Sequence, residues 1–318
     1  MDRPREKMSA RIVISEFMDA PAVERLAKRF DVDYRPRLVD DAAAMEAALA
    51  PADAWIVRNR SQVRGEPLAA ARRLRVVGRL GVGLDNIDVE ACNARGIAVI
   101  PATGANAESV AEYVIATAMI LLRGAAYLST HAVAAGRWPR QMLSQGRDLA
   151  GKTLGLVGFG GIGQVTAAKA RALGMRVIAC DPILDSREPV WRALSVEPCD
   201  LDRLLAESDV VSLHVPLTAA TRGLLDRQRL GRARRGAILI NTARGGVVDE
   251  AALAEALHEG RLAAAAIDVF DAEPLAAGSP LATAPNILLT PHIAGVTVES
   301  NERVSAFIAE RVAAALEN

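Results

Sequence analysis

The run Leu154-Gly-Leu-Val-Gly158-Phe-Gly160-Gly161-Ile162-Gly163-Gln164 constrains this chain more than any other segment. It reads as an apolar strand, a tight turn and the first turn of a helix. Gly158 permits the turn. Gly160 lacks a Cβ, so backbone can approach a pyrophosphate, and Gly163 lets helix and strand pack closely. The helix start, around Gly161 and Ile162, then offers N–H groups without intrahelical partners and a partial positive charge to phosphate. Such a glycine pattern is weak by itself, but its context strengthens it. An amphipathic stretch, Val165 to Leu173, follows, and a second strand, Arg176 to Cys180, leads into Asp181. An acidic residue about 20 positions after the glycines is placed for the ribose hydroxyls of a dinucleotide. Its charge repels a 2′-phosphate, which favours NAD over NADP, and Arg187 is too far along the chain to reverse that preference.

The rest of the chain has the same strand–helix rhythm. Before the glycine turn, Arg11 to Ser15, Ala54 to Val57, Leu74 to Gly78 and Ile97 to Ile100 read as strands, the last stopped by Pro101. Ala20 to Phe30 reads as a helix with Asp19 as N-cap and Pro21 in its first turn. A long helical pattern, Asn106 to Arg123, is a natural exit from a first domain. A polar stretch from Gly136 to Gly151 precedes a second series: Thr153 to Gly158, Arg176 to Cys180, Val210 to His214, Ala237 to Asn241, Ala264 to Val269 and Ile287 to Leu289. Six strands with helix-length spacers match a doubly wound nucleotide-binding sheet. The final helix, Val298 to Leu316, has no strand after it and is expected to pack back on the first domain. At 318 residues the chain exceeds the ~250–300 at which single cores stop growing, so two domains are expected.

Composition narrows the partners. Lys plus Arg and Asp plus Glu are 38 each, and a balanced charge argues against nucleic acid or an anionic membrane as main partner. Cys92, Cys180 and Cys199 form no CxxC pair, so neither a disulfide framework nor a metal site is expected. Met1 to Ala10 is charged and lacks the apolar core of a signal peptide. The apolar run Val110 to Leu122 contains Glu112 and is too short to span a bilayer. These features point to a cytoplasmic protein with reduced thiols.

Several further segments resemble those of the D-2-hydroxyacid dehydrogenases, a family that includes phosphoglycerate and glycerate dehydrogenases. They are Gly78-Arg-Leu-Gly-Val-Gly-Leu-Asp-Asn-Ile-Asp88, Asn106-Ala-Glu-Ser-Val-Ala-Glu-Tyr113, the glycine turn, and His214-Val-Pro-Leu-Thr218. Asn241-Thr-Ala-Arg-Gly-Gly-Val-Val-Asp-Glu250, Ile267-Asp-Val-Phe-Asp-Ala-Glu-Pro274 and Thr290-Pro-His-Ile-Ala-Gly295 follow in the family's order. The resemblance implies α/β architecture with two doubly wound parallel-sheet domains. A Rossmann NAD-binding domain (105–292) is inserted in a flavodoxin-like substrate domain (1–104 plus 293–318). It implies catalytic roles for Arg244, Glu273 and His292. Histidine suits the chemistry because its pKa lies near neutrality, so it can take the hydroxyl proton. Glu273 is expected to hold the imidazole and favour its protonated form. Arg244, a permanently charged donor fork, suits a carboxylate and the C2 oxygen. Cofactor contacts are implied at His214, Pro216, Thr242, Asp268 (to the nicotinamide carboxamide) and Gly295, and carboxylate-binding N–H groups around Gly81-Val82-Gly83. His214 has an equally good structural reading, and His131 and His258 sit on ordinary helical stretches.

The expected substrate is a small anionic 2-hydroxy or 2-oxo acid. Arg58-Asn59-Arg60 occupies the family's substrate loop, with Arg79 beside the glycine loop. Guanidiniums there suggest a second anionic group on C3, as in 3-phosphoglycerate or 3-sulfolactate, since unpaired buried arginines would be costly. Ile14-Ser-Glu-Phe-Met-Asp19 and the Arg-Asn-Arg loop are more similar to sulfolactate dehydrogenases. Alternatives are a glyoxylate/hydroxypyruvate (glycerate) reductase and a non-catalytic NAD-sensing module. Formate dehydrogenases share the fold, but Glu273 stands where they carry Gln. The resemblance also implies a homodimer through the NAD-binding domain with the helix Ala107 to Leu122 in the interface. It implies hinges near Pro101 to Ala105 and Thr290 to Gly295.

Overall fold

A computed structural model describes residues 9–124 and 129–317, so most of the charged N-terminal segment lies outside the described residues. The chain divides into two compact units, Met1–Asn106 with Val296–Asn318, and Ala107–Gly295.

In the first unit β1 (Arg11–Ile14), α1 (Ala20–Ala27), β2 (Asp31–Tyr34), α2 (Ala42–Leu49), β3 (Ala54–Val57), α3 (Gly65–Ala70), β4 (Val76–Arg79), α4 (Val89–Ala94) and β5 (Ala98–Pro101) alternate along the chain. The sheet is parallel, in the order β2-β1-β3-β4-β5. Its central strands are apolar at nearly every position because helices cover both faces. Ile12, Ile14 and Ile56 join one core with α1, while Val13, Trp55 and Val57 join the other with α2. The edge strand β2, Asp31-Val-Asp-Tyr, has too little apolar pattern to be read from sequence. Pro101 does not stop β5 but pairs with Arg79 as its last residue. An edge strand tolerates the missing N–H. Asp19 sits at the N-cap of α1, yet its side chain makes no capping bond. Its carbonyl accepts the Ala22 and Val23 N–H groups instead.

The second unit carries α5 (Ala107–Arg123), α6 (Thr130–Ala134), β6 (Thr153–Val157), α7 (Gly161–Ala172), β7 (Arg176–Cys180), α8 (Pro189–Ala193), β8 (Glu197–Pro198), α9 (Leu201–Glu207), β9 (Val210–Leu213), α10 (Arg227–Arg232), β10 (Ala237–Asn241), α11 (Glu250–His258), β11 (Leu262–Ile267) and β12 (Ile287–Leu289). The parallel order is β12-β11-β10-β9-β6-β7-β8. There are seven strands where the sequence suggested six, because β8 is two residues long and has no apolar run. Asp200, Asp226 and Asp249 cap α9, α10 and α11 through their carboxylates. The chain leaves β6 on one side for β7 and β8 and crosses back to the other side of β6 for β9. Ligands of such sheets bind at this switch, beyond the strands' carboxyl ends.

The last helix, α12 (Val298–Glu317), belongs to the first unit. Val304, Ile308, Val312 and Leu316 enter the core shared with α1, each worth about 1.5–3 kcal/mol when fully buried. Gly78 makes this packing possible. A Cβ there would lie 2.7 Å from Val312 and 2.8 Å from Ile308. Among the described residues no helix is long and apolar enough to cross a membrane.

Candidate active site

The glycine turn is built for close approach. Gly158 has φ +98°, and a Cβ on it would sit 2.9 Å from the His214 carbonyl group; one on Gly163 would sit 2.5 Å from the Gly158 oxygen. Gly160 and Gly161, in contrast, have open space where a Cβ would be. Gly160 is the N-cap of α7 and no side chain caps it. The first-turn N–H groups, including those of Ile162 and Gly163, are therefore left for an anion. Phe159 anchors the turn from below, stacked on Trp191 with ring centroids 4.4 Å apart. Asp181, at the end of β7, accepts the Phe159 N–H at 2.8 Å and the Ile183 and Leu184 N–H groups at 3.0 and 3.2 Å. Its carboxylate is thus fixed beside the turn.

His214 follows β9, across the switch from Gly158. Its Nε2 lies 3.0 Å from the Ser212 hydroxyl, and burial pushes the imidazole down to about 4. It is neutral near pH 7 and is no proton donor to a substrate. The Pro216 carbonyl accepts the Thr221 hydroxyl at 2.6 Å. The Thr242 hydroxyl is buried without a hydrogen-bond partner, as a group awaiting a ligand would be. The open cradle, the uncapped helix and this orphaned hydroxyl together fit a dinucleotide.

Arg244, Glu273 and His292 are brought to the same sheet edge by β10, β11 and β12. Asn241, the last residue of β10 and buried, shapes the arginine turn. Its side chain accepts the Ala243 N–H at 3.0 Å and donates to the Arg244 carbonyl at 3.1 Å. Gly245 lies against the turn that carries Glu273. Asp271 ties the two turns together by accepting the Gly246 N–H at 2.5 Å while its own N–H donates to Glu250 at 2.9 Å. Glu273 faces His292 with Oε2 2.9 Å and Oε1 3.1 Å from Nδ1. With Nδ1–H donated to the carboxylate, Nε2 is the ring nitrogen that can exchange a proton.

His292 has φ +55°, an uncommon conformation for a residue with a Cβ. Asp268 enforces it. This carboxylate, 1% exposed, accepts the Thr290 hydroxyl at 2.6 Å, the Ile293 N–H at 2.8 Å and the Ala294 N–H at 2.8 Å. Its carbonyl accepts the His292 N–H at 2.8 Å. Thr290 is in turn 2.6 Å from the Tyr113 hydroxyl on α5. Both Asp268 oxygens are therefore engaged in holding the histidine turn, a role that sequence motifs did not reveal. Gly295, the last residue of this unit, follows directly.

In the first unit the loop after β3 carries Arg58, Asn59 and Arg60. The Arg58 guanidinium donates to Asn301 at 3.0 Å and lies 5.6 Å from the Phe17 ring centroid. Arg60 pairs with Asp40. Gly81, after β4, has the Arg79 guanidinium folded beneath it, 1.4 Å from where a Cβ would stand. The Gly81 N–H already donates to the Arg79 carbonyl at 2.8 Å, leaving Val82 and Gly83 as the N–H donors of this turn. Glu16 and Asn86, which hold the arginine loop through its backbone, were given no role by the sequence, because strand adjacency alone brings them to it.

A doubly wound sheet with an open phosphate cradle, a His–Glu pair and an arginine at its carboxyl edge defines a dinucleotide-dependent oxidoreductase. Residues 115–294 match the model of the D-isomer specific 2-hydroxyacid dehydrogenase NAD-binding domain. The chain is 51% identical over 306 residues to an (S)-sulfolactate dehydrogenase of Chromohalobacter salexigens, covering 96% of this chain and 98% of that one. It is 39% identical to a D-3-phosphoglycerate dehydrogenase of Mycobacterium leprae, over 96% of this chain and 56% of that longer protein. Among solved structures, a D-lactate dehydrogenase of Aquifex aeolicus complexed with NAD and lactic acid superposes with a TM-score of 0.83 at 31% identity, over 96% and 95% of the two chains. The chain belongs to the D-isomer-specific 2-hydroxyacid dehydrogenases. It is an NAD-dependent oxidoreductase acting on 2-hydroxy acids, and NAD is its cofactor.

Proposed function

We propose that His292, Glu273 and Arg244 carry out the oxidation and that the substrate is a D-configured 2-hydroxy acid with a second anion on C3, 3-sulfolactate or 3-phosphoglycerate. The observation that carries the roles is the His292–Glu273 pair at 2.9 Å, with Arg244 on the next strand but one. The Arg244 fork binds the substrate carboxylate and C2 oxygen. Nε2 of His292 takes the hydroxyl proton as C2 loses its hydride, and Glu273 fixes the ring's orientation and faces the resulting imidazolium. Gly158, Gly160, Gly161, Ile162 and Gly163 hold the pyrophosphate, Asp181 the ribose, and His214, Pro216, Thr242 and Gly295 line the dinucleotide, while Asp268, expected from the sequence to meet the nicotinamide carboxamide, acts through the 290–294 turn it holds. When bound, NAD supplies the hydride acceptor. Val82 and Gly83 donate to the substrate carboxylate, and Arg58, Asn59 and Arg60 meet the C3 group.

Steady-state NADH formation with (S)-3-sulfolactate, 3-phospho-D-glycerate, D-glycerate and D-lactate tests this. A preference of about a hundredfold, roughly 2.7 kcal/mol, for a C3-charged acid is expected. Equal use of D-lactate would remove the loop arginines from recognition and favour a glycerate or lactate type of enzyme. We further propose a homodimer through the second unit. Met119 on α5, Trp138 and Met142 expose large apolar side chains there, 44%, 77% and 76% accessible, and light scattering of the purified chain reports the mass. The free cysteines suit a reducing cytoplasm.

A further inference from the structure

We propose that the Arg58–Ser61 loop selects a singly charged sulfonate over a doubly charged phosphate on C3, because Glu16 and Asp40 cancel most of the loop's positive charge. This rests on the reading above that the loop meets the C3 group. Glu16 lies two residues beyond the end of β1 and the loop directly follows β3; these strands are paired neighbours. The chain leaves β1 to one side for β2 and returns on the other for β3, so the cluster stands at the switch of the first sheet, where ligands of such folds bind.

The carboxylate of Glu16 is 5% exposed. Its Oε1 accepts the Arg58 and Ser61 N–H groups at 2.9 and 3.0 Å, and its Oε2 accepts the Arg60 N–H at 3.1 Å. From the other side Asn86 donates to the Arg58 and Ser61 carbonyls at 3.1 and 2.7 Å. The Ser61 hydroxyl is 2.8 Å from that of Ser15, which the Trp55 indole N–H reaches at 2.9 Å. A buried polar network with its partners in place makes a rigid platform.

The same anchor brings negative charge to the loop. Glu16 lies under Arg58 and Arg60, and its charge favours the cationic form of both, against the burial that pushes Arg58 down. Asp40 pairs with Arg60 and lies 3.6 Å from Arg37. The Arg60 hydrogen bond holds its carboxyl below the usual range. The loop's own two guanidiniums face two carboxylates, and the one positive charge left in the cluster is that of the exposed Arg37 beside Asp40. A sulfonate and a phosphate monoester present similar tetrahedral oxygens; the phosphate stands one ester oxygen further from C3 and carries more charge, and only the charge responds to pH and to removal of a carboxylate. The sulfonate carries a single negative charge, whereas the phosphate carries about −1.5 to −2 near neutral pH. The surplus charge of the phosphate meets the carboxylates rather than the arginines.

The test is the ratio of kcat/KM for (S)-3-sulfolactate to that for 3-phospho-D-glycerate, from pH 5 to 8, in the wild type, Asp40→Asn and Glu16→Gln, with D-lactate as reference. The same catalytic groups act on both acids, so their pH dependence cancels from the ratio. The wild type is expected to favour sulfolactate, and the ratio to shrink as pH falls through about 6, where the phosphate takes up a proton. Asp40→Asn is expected to move the ratio towards phosphoglycerate by up to about fivefold and to flatten the pH dependence. Glu16→Gln keeps an acceptor for Arg58 and Ser61 but opposes an NH2 to the Arg60 N–H; it should shift the ratio and lower turnover with both acids. If Glu16→Gln does not fold, Asp40→Asn decides. A purely structural role would lower both charged acids together and leave the ratio fixed, which overturns the proposal, as does a wild-type preference for the phosphate. D-lactate used as well as either charged acid overturns the C3 reading itself, and the selection with it.

Discussion

Replacing Gly245 by alanine puts a methyl group where the structure has backbone. The added Cβ would stand 1.8 Å from the Phe270 oxygen, 2.1 Å from its carbonyl carbon and 2.7 Å from the Asp271 nitrogen. Real Cβ contacts stay beyond 3.0 Å, so the two turns must part by about 1.2 Å, and main-chain atoms cannot rotate out of the way. One turn carries Arg244 and the other leads to Glu273, with Asp271 bonded across them at 2.5 Å. The substitution therefore separates the arginine from the His292–Glu273 pair by about 1 Å. Misplacement on that scale costs on the order of a hundredfold in rate, and overpacking costs about 1–3 kcal/mol of stability. The assay is kcat/KM with the best hydroxy acid, beside NADH binding by fluorescence and thermal unfolding. We expect turnover to collapse while NADH affinity falls far less, since the glycine cradle lies on other strands and only Thr242 of the dinucleotide-lining residues shares the displaced turn. A Gly245→Ala enzyme within tenfold of wild-type turnover would refute the reasoning. Gly231→Ala is the control. That glycine lies in α10 with open space around it, so alanine should raise stability by about 0.5–1 kcal/mol and leave turnover alone.

Three more outcomes are expected. Glu273→Gln keeps an acceptor for the His292 Nδ1–H but loses its charge. The difference between a charged and a neutral hydrogen bond, about 1–1.5 kcal/mol, should lower kcat/KM roughly tenfold at unchanged NADH affinity; an unaltered rate would remove Glu273 from the mechanism. Asp268→Asn sets an NH2 against one of the donors of the 290–294 turn, which should cost about 2–4 kcal/mol in urea unfolding and reduce kcat more than NADH binding. His214, held near 4 by burial, is neutral when folded at a pH where the unfolded chain, at about 6.5, already binds a proton. Its contribution is therefore complete above about pH 6.5 and is lost as pH falls towards 4, by up to about 3 kcal/mol. Urea midpoints from pH 4.5 to 7 should fall more steeply in the wild type than in His214→Gln, and parallel curves would contradict this.

Much of the second unit was legible in the sequence because its signals are local. The glycine spacing, the apolar strands and the polar residues at their ends lie within a few residues of one another, and backbone geometry converts such spacing directly into a turn or a strand end. Arg244, Glu273 and His292 were legible through motif strings, each at the end of its own strand. Short or polar edges were not. Asp31–Tyr34 and Glu197–Pro198 owe their strand conformation to a neighbouring strand's hydrogen bonds, and Pro101 is tolerated because β5 is the edge strand of its sheet.

What the sequence determined by itself, then, is the α/β class and the cofactor, carried by period, spacing and motif strings. Only the tertiary structure decided which carboxylates do the holding. Asp268 reads from the sequence as a nicotinamide contact until the 290–294 turn is seen wrapped around it. Glu16 stands in a segment with a family resemblance but with no role of its own legible there, 42 positions before the Arg58 N–H it binds. Sheet order makes β1 and β3 neighbours and brings that carboxylate under the loop. A one-dimensional pattern records period and spacing but not adjacency across strands, and adjacency sets both the aim of the histidine and the charge of the arginine loop.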